Sequence, residues 1–154
     1  MDCEEKAARV IVLAVDGSET AHHAWTYFKE FLHRKSDRLH FLFCDNDPNL
    51  GIIDWEKTIK DSVEKCEALK DKYLAECQHL GINRTECFHF ERYPYNDVNV
   101  AHTIEKYADT HKADMIIIGS RGLGFTKGVL LGSVSQKLLT FSKKPVLVVP
   151  PRLE

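Results

Sequence analysis

The sequence has few features that would hold the protein in a membrane or attract it to nucleic acid. No apolar run approaches the roughly 18 residues that a membrane-spanning helix needs, and the opening MDCEEKAARV is too acidic for a secretory signal. Lys and Arg number 21 against 23 Asp and Glu, a net charge of −2 with His neutral. This balance excludes a strong electrostatic footprint for nucleic acid or anionic lipid. We therefore expect a cytoplasmic protein with neither kind of partner.

Cysteine and histidine do not form a metal-binding pattern. The cysteines are odd in number and contain no C-x-x-C pair, which argues against a disulfide framework and a zinc finger; they are Cys3, Cys44, Cys66, Cys77 and Cys87. The eight histidines are scattered without an H-E-x-x-H motif. Residues 45–56 imitate a calcium loop, but Leu50 stands where such a loop needs glycine. We expect no resident metal site and cysteines that are buried apolar residues or unreactive surface thiols.

Common catalytic and phosphate-binding motifs are missing too. No Gly-Lys-Ser/Thr tripeptide is present, and Gly122-x-Gly124 is followed by Lys127 where G-x-G-x-x-G needs its third glycine. No G-x-S-x-G nucleophile elbow or acid–base pair is identifiable. The sequence thus disfavours P-loop, Rossmann dinucleotide and serine-hydrolase chemistry, and we predict no catalytic residue.

What is present is an alternation of strand and helix patterns in a chain of 154 residues, 44% hydrophobic and 29% charged, which we interpret as one domain over 1–154. Apolar runs predict strands at 9–15, 39–44, 84–91, 114–119 and 145–149, and helical spacing predicts helices at 19–34, 55–80, 97–111 and 133–142. This alternation predicts an α/β fold with a five-stranded parallel sheet and helices on both faces. Ligands of such sheets bind beyond the carboxyl ends of the strands, here after Val15, Cys44 and Ile118.

A glycine-rich segment, residues 119–133, joins the fourth strand to the fourth helix. Glycines let backbone amides approach a phosphate, and the amides of Ser133, Val134 and Ser135 lie at the positive end of the helix. The segment is therefore an anion cradle or, alternatively, a flexible connection. Arg121 is a candidate phosphate partner or a solvated loop cation.

The glycines follow the pattern G-x2-G-x9-G-[ST] at Gly119, Gly122, Gly132 and Ser133. Together with VDGSE after the first strand, GSVSQKLL in the last helix and KKPVLVVP at the last strand, this chain resembles the ATP-binding universal stress proteins. The resemblance implies a Rossmann-like sheet of the adenine nucleotide alpha hydrolase type, with strand order 3-2-1-4-5. It also implies an ATP or AMP ligand with Mg²⁺.

The resemblance places the ligand at the ends of strands 1, 2 and 4. The adenosine side contains Ala14, Val15 and Asp16, with Cys44 and Ile118 at the neighbouring strand ends. Strand 2 ends in Phe43-Cys44 where the family often has His-Val. The ribose and phosphate positions fall on Gly119, Arg121, Gly122, Gly132, Ser133, Val134 and Ser135. Read without the resemblance, Asp16 holds a turn or caps the following helix.

By the same resemblance the protein is a nucleotide sensor or switch in a stress response, and a homodimer that pairs through its last strand, Pro145 to Val149. Two alternatives stay open at this point. One is a slow ATP hydrolase, which would also need a positioned water and base. The other is a dimeric scaffold that works without nucleotide.

Overall fold

Strands and helices alternate throughout the computed structural model, which describes residues 7–44, 55–82, 87–93, 100–121 and 131–152. The strands are β1 (Val10–Val15), β2 (Arg38–Cys44), β3 (Phe88–Tyr93), β4 (Met115–Gly119) and β5 (Val146–Val149). The helices are α1 (Glu19–Phe31), α2 (Trp55–His79), α3 (Val100–Thr110) and α4 (Ser133–Phe141). None of the described helices is long and apolar enough to cross a bilayer.

The strands form one sheet in the order β3-β2-β1-β4-β5 with every pair parallel, as predicted. The first strand lies at the centre, paired with β2 from Val10↔Arg38 to Val15↔Phe43 and with β4 around Val12↔Ile116. The chain moves outward from β1 to β3, then returns across the sheet to β4. The strand order therefore reverses beside β1.

Each face of the sheet has its own core. On one face, Ile11 and Leu13 pack in a cluster with residues of α1 and α2, centred on Trp25, whose indole meets the ring of Phe41 edge-on at 5.1 Å. The other face joins Val12 to a cluster that includes α3 and α4. Because successive strand residues point to opposite faces, a strand covered on both sides must be apolar throughout, which explains the continuous apolar run of β1.

Two predicted boundaries were wrong by two residues or more. Helix α1 ends at Phe31 rather than near Arg34, because the Leu32 amide makes the last α-helical bond to the Phe28 carbonyl and the His33 amide donates to the same carbonyl, both at 2.9 Å. The bond from His33 reaches one residue further back than an α-helical bond, as at many helix ends. Strand β3 continues to Tyr93 rather than ending at residue 91, because its parallel pairing with β2 continues to the end of that strand. Residues 84–86 of the predicted strand and 97–99 of the predicted third helix lie outside the described residues.

A buried ion pair fixes the connection from α1 to β2. Asp37 is fully buried and accepts two hydrogen bonds from Arg9 at 2.8 Å and one from the Arg34 amide at 2.9 Å. Burial alone would raise the pKa of Asp37, but attraction from His33, Arg9 and the Arg34 amide outweighs it and holds this pKa at about 2. Asp37 is thus a carboxylate that the surrounding donors keep ionised.

Replacing Asp37 by Asn keeps the size of the side chain and removes its charge, so we expect the free energy of unfolding to fall by roughly 3 kcal/mol. Urea unfolding at neutral pH measures the change. The control is Asp109→Asn, at an exposed carboxylate of α3, which should lower the free energy of unfolding by less than about 0.5 kcal/mol. Equal effects of the two substitutions would contradict a structural role for the ion pair.

Candidate functional site

The ends of three neighbouring strands form one edge of the sheet. Strand β1 ends at Val15, β2 at Cys44 and β4 at Gly119, and parallel pairing brings these ends together. The chain leaves β1 towards α1 on one face and leaves β4 towards α4 on the other. The two helices therefore diverge where the strand order reverses. Open α/β sheets bind ligands in a crevice at such a point, which makes this edge the candidate site.

The turn after β1 is held by its own side chains. Asp16 accepts a hydrogen bond from the Ser18 amide at 2.9 Å, and Gly17 has a φ of +82° that favours glycine. The Ser18 hydroxyl accepts from the Ala21 amide at 3.2 Å and caps α1. Ser18 is therefore the cap, and Asp16 has the turn-holding contact that its local sequence predicts. The site role of Asp16 stays a prediction.

Asp16 also lies within electrostatic range of Cys44 at the end of β2. Burial, and then the negative charge of Asp16, raise the pKa of the Cys44 thiol to about 12. The thiol is neutral at physiological pH and therefore forms an unreactive, apolar part of this edge. The other described cysteines are also buried, namely Cys66, Cys77 and Cys87.

Gly119 is a glycine because a helix passes close to it. A Cβ atom at this position would lie 2.9 Å from both the carbonyl carbon and the Cγ2 of Thr20 in the first turn of α1. The absence of a side chain lets α1 pack directly on the end of β4. This reason is independent of any ligand, although the sequence alone indicated Gly119 only as part of the glycine pattern.

The beginning of α4 is held against the end of β4. The Gly132 amide donates to the Ser120 carbonyl at 2.6 Å, and the Ser135 hydroxyl donates to the same carbonyl at 3.1 Å and to the Gly132 carbonyl at 3.0 Å. The first described α-helical bond of α4 runs from Gln136 to Gly132 at 3.0 Å. The amides of Ser133, Val134 and Ser135 precede that bond, so they form the positive end of the helix.

The predicted site residues differ in exposure. Ser133 is exposed, Ala14, Arg121, Gly132 and Val134 are half-buried, and Ile118 and Ser135 are buried. Gly122 and the rest of the 122–130 segment lie outside the described residues. The structure adds Ser120, which is 2% exposed and whose hydroxyl has no hydrogen-bond partner among the described residues. The sequence analysis missed Ser120, although its position between the predicted site residues Gly119 and Arg121 could have indicated it.

The fold is shared with proteins of known structure. The structure of MJ0577 from Methanocaldococcus jannaschii superposes with a TM-score of 0.71 at 27% identity, covering 95% of this chain and 98% of that one. Two further structures share the fold: a universal stress protein in complex with cAMP (TM-score 0.61, 20% identity, covering 96% and 100%) and an Arabidopsis thaliana protein with AMP bound (0.63, 17%, 94% and 92%).

Sequence comparison agrees with the structural comparison. A universal stress protein from Thermus aquaticus is 31% identical over 143 residues, which cover 92% of this chain and 98% of the relative. The model of the universal stress protein family matches residues 7–150, which include every strand and helix described above. This chain therefore belongs to the universal stress protein family.

Proposed function

We propose that the protein binds an adenine nucleotide, ATP or AMP, at the carboxyl edge of β1, β2 and β4, and acts as a nucleotide sensor or switch in a stress response. The observation that carries this proposal is the amino end of α4. Its N-cap residue is Gly132, which has no side chain to cap the helix, and the hydrogen bond to Ser120 holds this end beside β4. A phosphate would supply the missing negative partner.

Helices α1 and α4 both begin at this edge, and their first turns have different partners. The Ser18 hydroxyl accepts a hydrogen bond from the Ala21 amide of α1, whereas α4 begins after a glycine that offers no side-chain cap. An uncapped helix end has a partial positive charge equivalent to roughly half an elementary charge. The whole chain is slightly negative, so attraction for an anion has to arise locally at such a place. The positive end of α4 therefore favours a phosphorylated ligand at the crevice.

The adenosine part of the ligand would lie towards β1 and β2. Ala14 and Cys44 offer apolar surface there, and the Asp16 carboxylate would accept hydrogen bonds from ribose hydroxyls. The AMP and cAMP complexes of the two neighbours support an adenine nucleotide as the ligand class. The described residues contain no group of three or more His, Cys, Asp or Glu side chains able to hold a metal, so Mg²⁺ would enter with the phosphates of ATP.

We also propose that two copies of the chain pair through β5. This strand pairs with β4 on one side, and its other edge is open among the described residues. Val149 is only 3% exposed and already lies in the chain's own core, so a partner strand would meet the outward backbone groups and the half-buried Leu147 and Val148. An open apolar edge strand favours pairing with a second strand.

Replacing Gly132 by Asp should change ATP affinity and the stability of the fold in different directions. The Asp side chain would cap α4 and occupy the positive helix end with a carboxylate, so we expect ATP affinity to fall at least tenfold, about 1.4 kcal/mol, while stability is kept or raised by a few tenths of a kcal/mol. A Cβ fits at this position, since its nearest neighbour would be the Ser120 carbonyl oxygen at 3.4 Å. Calorimetry with ATP and Mg²⁺ measures the affinity.

The matched control is Gly132→Asn, which offers the same cap without a charge and should weaken ATP less than Gly132→Asp does. Parent-like ATP affinity in a folded Gly132→Asp variant would overturn the α4 end as the phosphate site. Analysis of the nucleotide after incubation with the parent protein also tests for slow hydrolysis, because a binding module returns the ATP unchanged.

Asp16 and Ser18 form a second matched pair, because both hold the turn after β1 but only Asp16 is proposed to contact the adenosine. Asp16→Ala should weaken ATP binding at least tenfold. Ser18→Ala should lower the free energy of unfolding by about 1 kcal/mol through loss of the cap and leave ATP affinity unchanged. If Asp16→Ala lowers the free energy of unfolding but leaves ATP affinity unchanged, Asp16 only holds the turn through the Ser18 amide and does not contact the nucleotide.

Val148→Pro tests the dimer at the edge of β5. The carbonyls of Pro145 and Val149 accept hydrogen bonds from the β4 side, so alternation along the strand directs the backbone N–H of Val148 to the open edge. Proline removes that donor and leaves the ladder with β4 in place. We expect sedimentation at tens of micromolar to give a dimer for the parent and for Val148→Ala, and a monomer for Val148→Pro. A monomeric parent would exclude the dimer.

A further inference from the structure

Three histidines and a tyrosine meet away from the proposed nucleotide site, nearer the amino ends of β2 and β3. His40 of β2 and His89 of β3 are register partners whose rings stack at 4.2 Å. His40 Nδ1 is 2.8 Å from the Tyr107 hydroxyl of α3. The ring of His111, one turn after Tyr107, lies 5.2 Å from that of His40 and stacks on Tyr107 at 3.9 Å. We call these four residues the histidine cluster.

The cluster is built around a buried imidazole. His40 is 7% exposed, whereas His89 is exposed and His111 half-buried. The charged and titratable groups around His40 are Arg38 on its own strand, His89 from β3 and His111 with Tyr107 from α3. Strand β1 presents Val12 in register with His40.

An acidic group of β3, Glu91, acts on the tyrosine of the cluster. Burial, and then the charge and hydrogen bond of Glu91, raise the pKa of Tyr107, with a smaller contribution from Tyr93. Tyr107 therefore stays a neutral hydroxyl. A positive charge on His40 would meet two further imidazoles and a guanidinium in a site with little water.

We propose that the histidine cluster is a proton-sensing site that holds α3 against β2 and β3 only while His40 is neutral. At mildly acidic pH a proton would bind His40 more readily once α3 has moved away from it, so a falling pH would favour a loosened α3. Helix α3 in turn contacts α4, since the Glu105 carboxylate accepts a hydrogen bond from the Lys143 amide at 2.8 Å and His102 stacks on Phe141 at 4.4 Å. Loosening α3 would therefore disturb the helical layer on that face of the sheet.

The direction of the pH effect follows from linkage. Burial, followed by His89, His111 and Arg38, lowers the pKa of His40 from 6.5 to about 4. The unfolded chain then binds the proton more readily than the folded one, so stability is full above pH 6.5, falls as the pH drops and levels off below pH 4. From these two values the folded-to-unfolded ratio should fall on the order of tenfold between pH 7 and pH 5.

Two other groups have to be separated from this effect. The lowered pKa of Asp37, about 2, makes its contribution change only below its ordinary value of 3.8, outside the window of His40. The pKa of His22 is lowered by burial and by Lys72, so His22 acts in the same direction as His40. The experiment therefore compares pH profiles between variants, in which the contribution of His22 is the same.

The test measures urea unfolding at several pH values from 7.5 to 4.5 for the parent, His40→Gln, His89→Gln and the control His102→Gln. Gln at position 40 can still form a hydrogen bond with the Tyr107 hydroxyl but does not titrate. The fall in the folded-to-unfolded ratio between pH 7 and pH 5 should therefore be about tenfold smaller for His40→Gln than for the parent. His89→Gln removes one of the groups that lower the pKa of His40, so it should reduce the fall in the folded-to-unfolded ratio by less than His40→Gln does. His102→Gln, an exposed histidine on α3, should follow the parent profile.

Two further measurements use the parent protein and stand even if His40→Gln fails to fold. Proton NMR of the imidazoles should show that His40 stays neutral down to about pH 5, and a His40 that titrates at pH 6 or above overturns the proposal. Hydrogen exchange corrected for intrinsic pH dependence should show α3 losing protection before α1 as the pH falls. A parent-like pH profile for His40→Gln, or simultaneous loss of protection in both helices, also overturns it.

Discussion

Burial of β1 on both faces is the constraint on which the rest of the structure depends. Val10–Val15 pairs with β2 on one side and β4 on the other, while Ile11 and Leu13 face one helical layer and Val12 faces the second. Both faces of a central parallel strand can be buried only if helical connections between strands pass over both faces of the sheet. The reversal of strand order beside β1 follows from this requirement.

The close approach of α1 to the neighbouring strand is a second consequence. Thr20 lies so near Gly119 that a side chain there would collide with the helix backbone. One glycine of the family pattern is therefore required by packing, whereas Gly132 has space for a Cβ. The same motif thus combines a glycine that the fold needs with one whose place in the fold leaves room for a side chain.

Polar groups are distributed unequally between the two ends of the sheet. At the carboxyl edge, the turn contacts of Asp16 and Ser18 are satisfied locally and the start of α4 presents helix amides. Nearer the amino ends of β2 and β3, three imidazoles and a tyrosine pack against each other. One end therefore favours a bound anion, and the other disfavours an added proton. Both properties come from backbone and side-chain placement rather than from net charge.

The α/β class could be predicted from the residue pattern, because apolar strands alternating with amphipathic helices are compatible with little else. The family resemblance supplied the strand order and the predicted location of the candidate site. Local patterns did not determine where α1 and β3 end, since those ends depend on the Phe28 carbonyl and on pairing with β2. The close approach of Thr20 to Gly119, and the meeting of His40, His89 and His111, are seen only in the folded chain. These contacts depend on distances and directions between separate elements, which the order of residues along the chain does not specify.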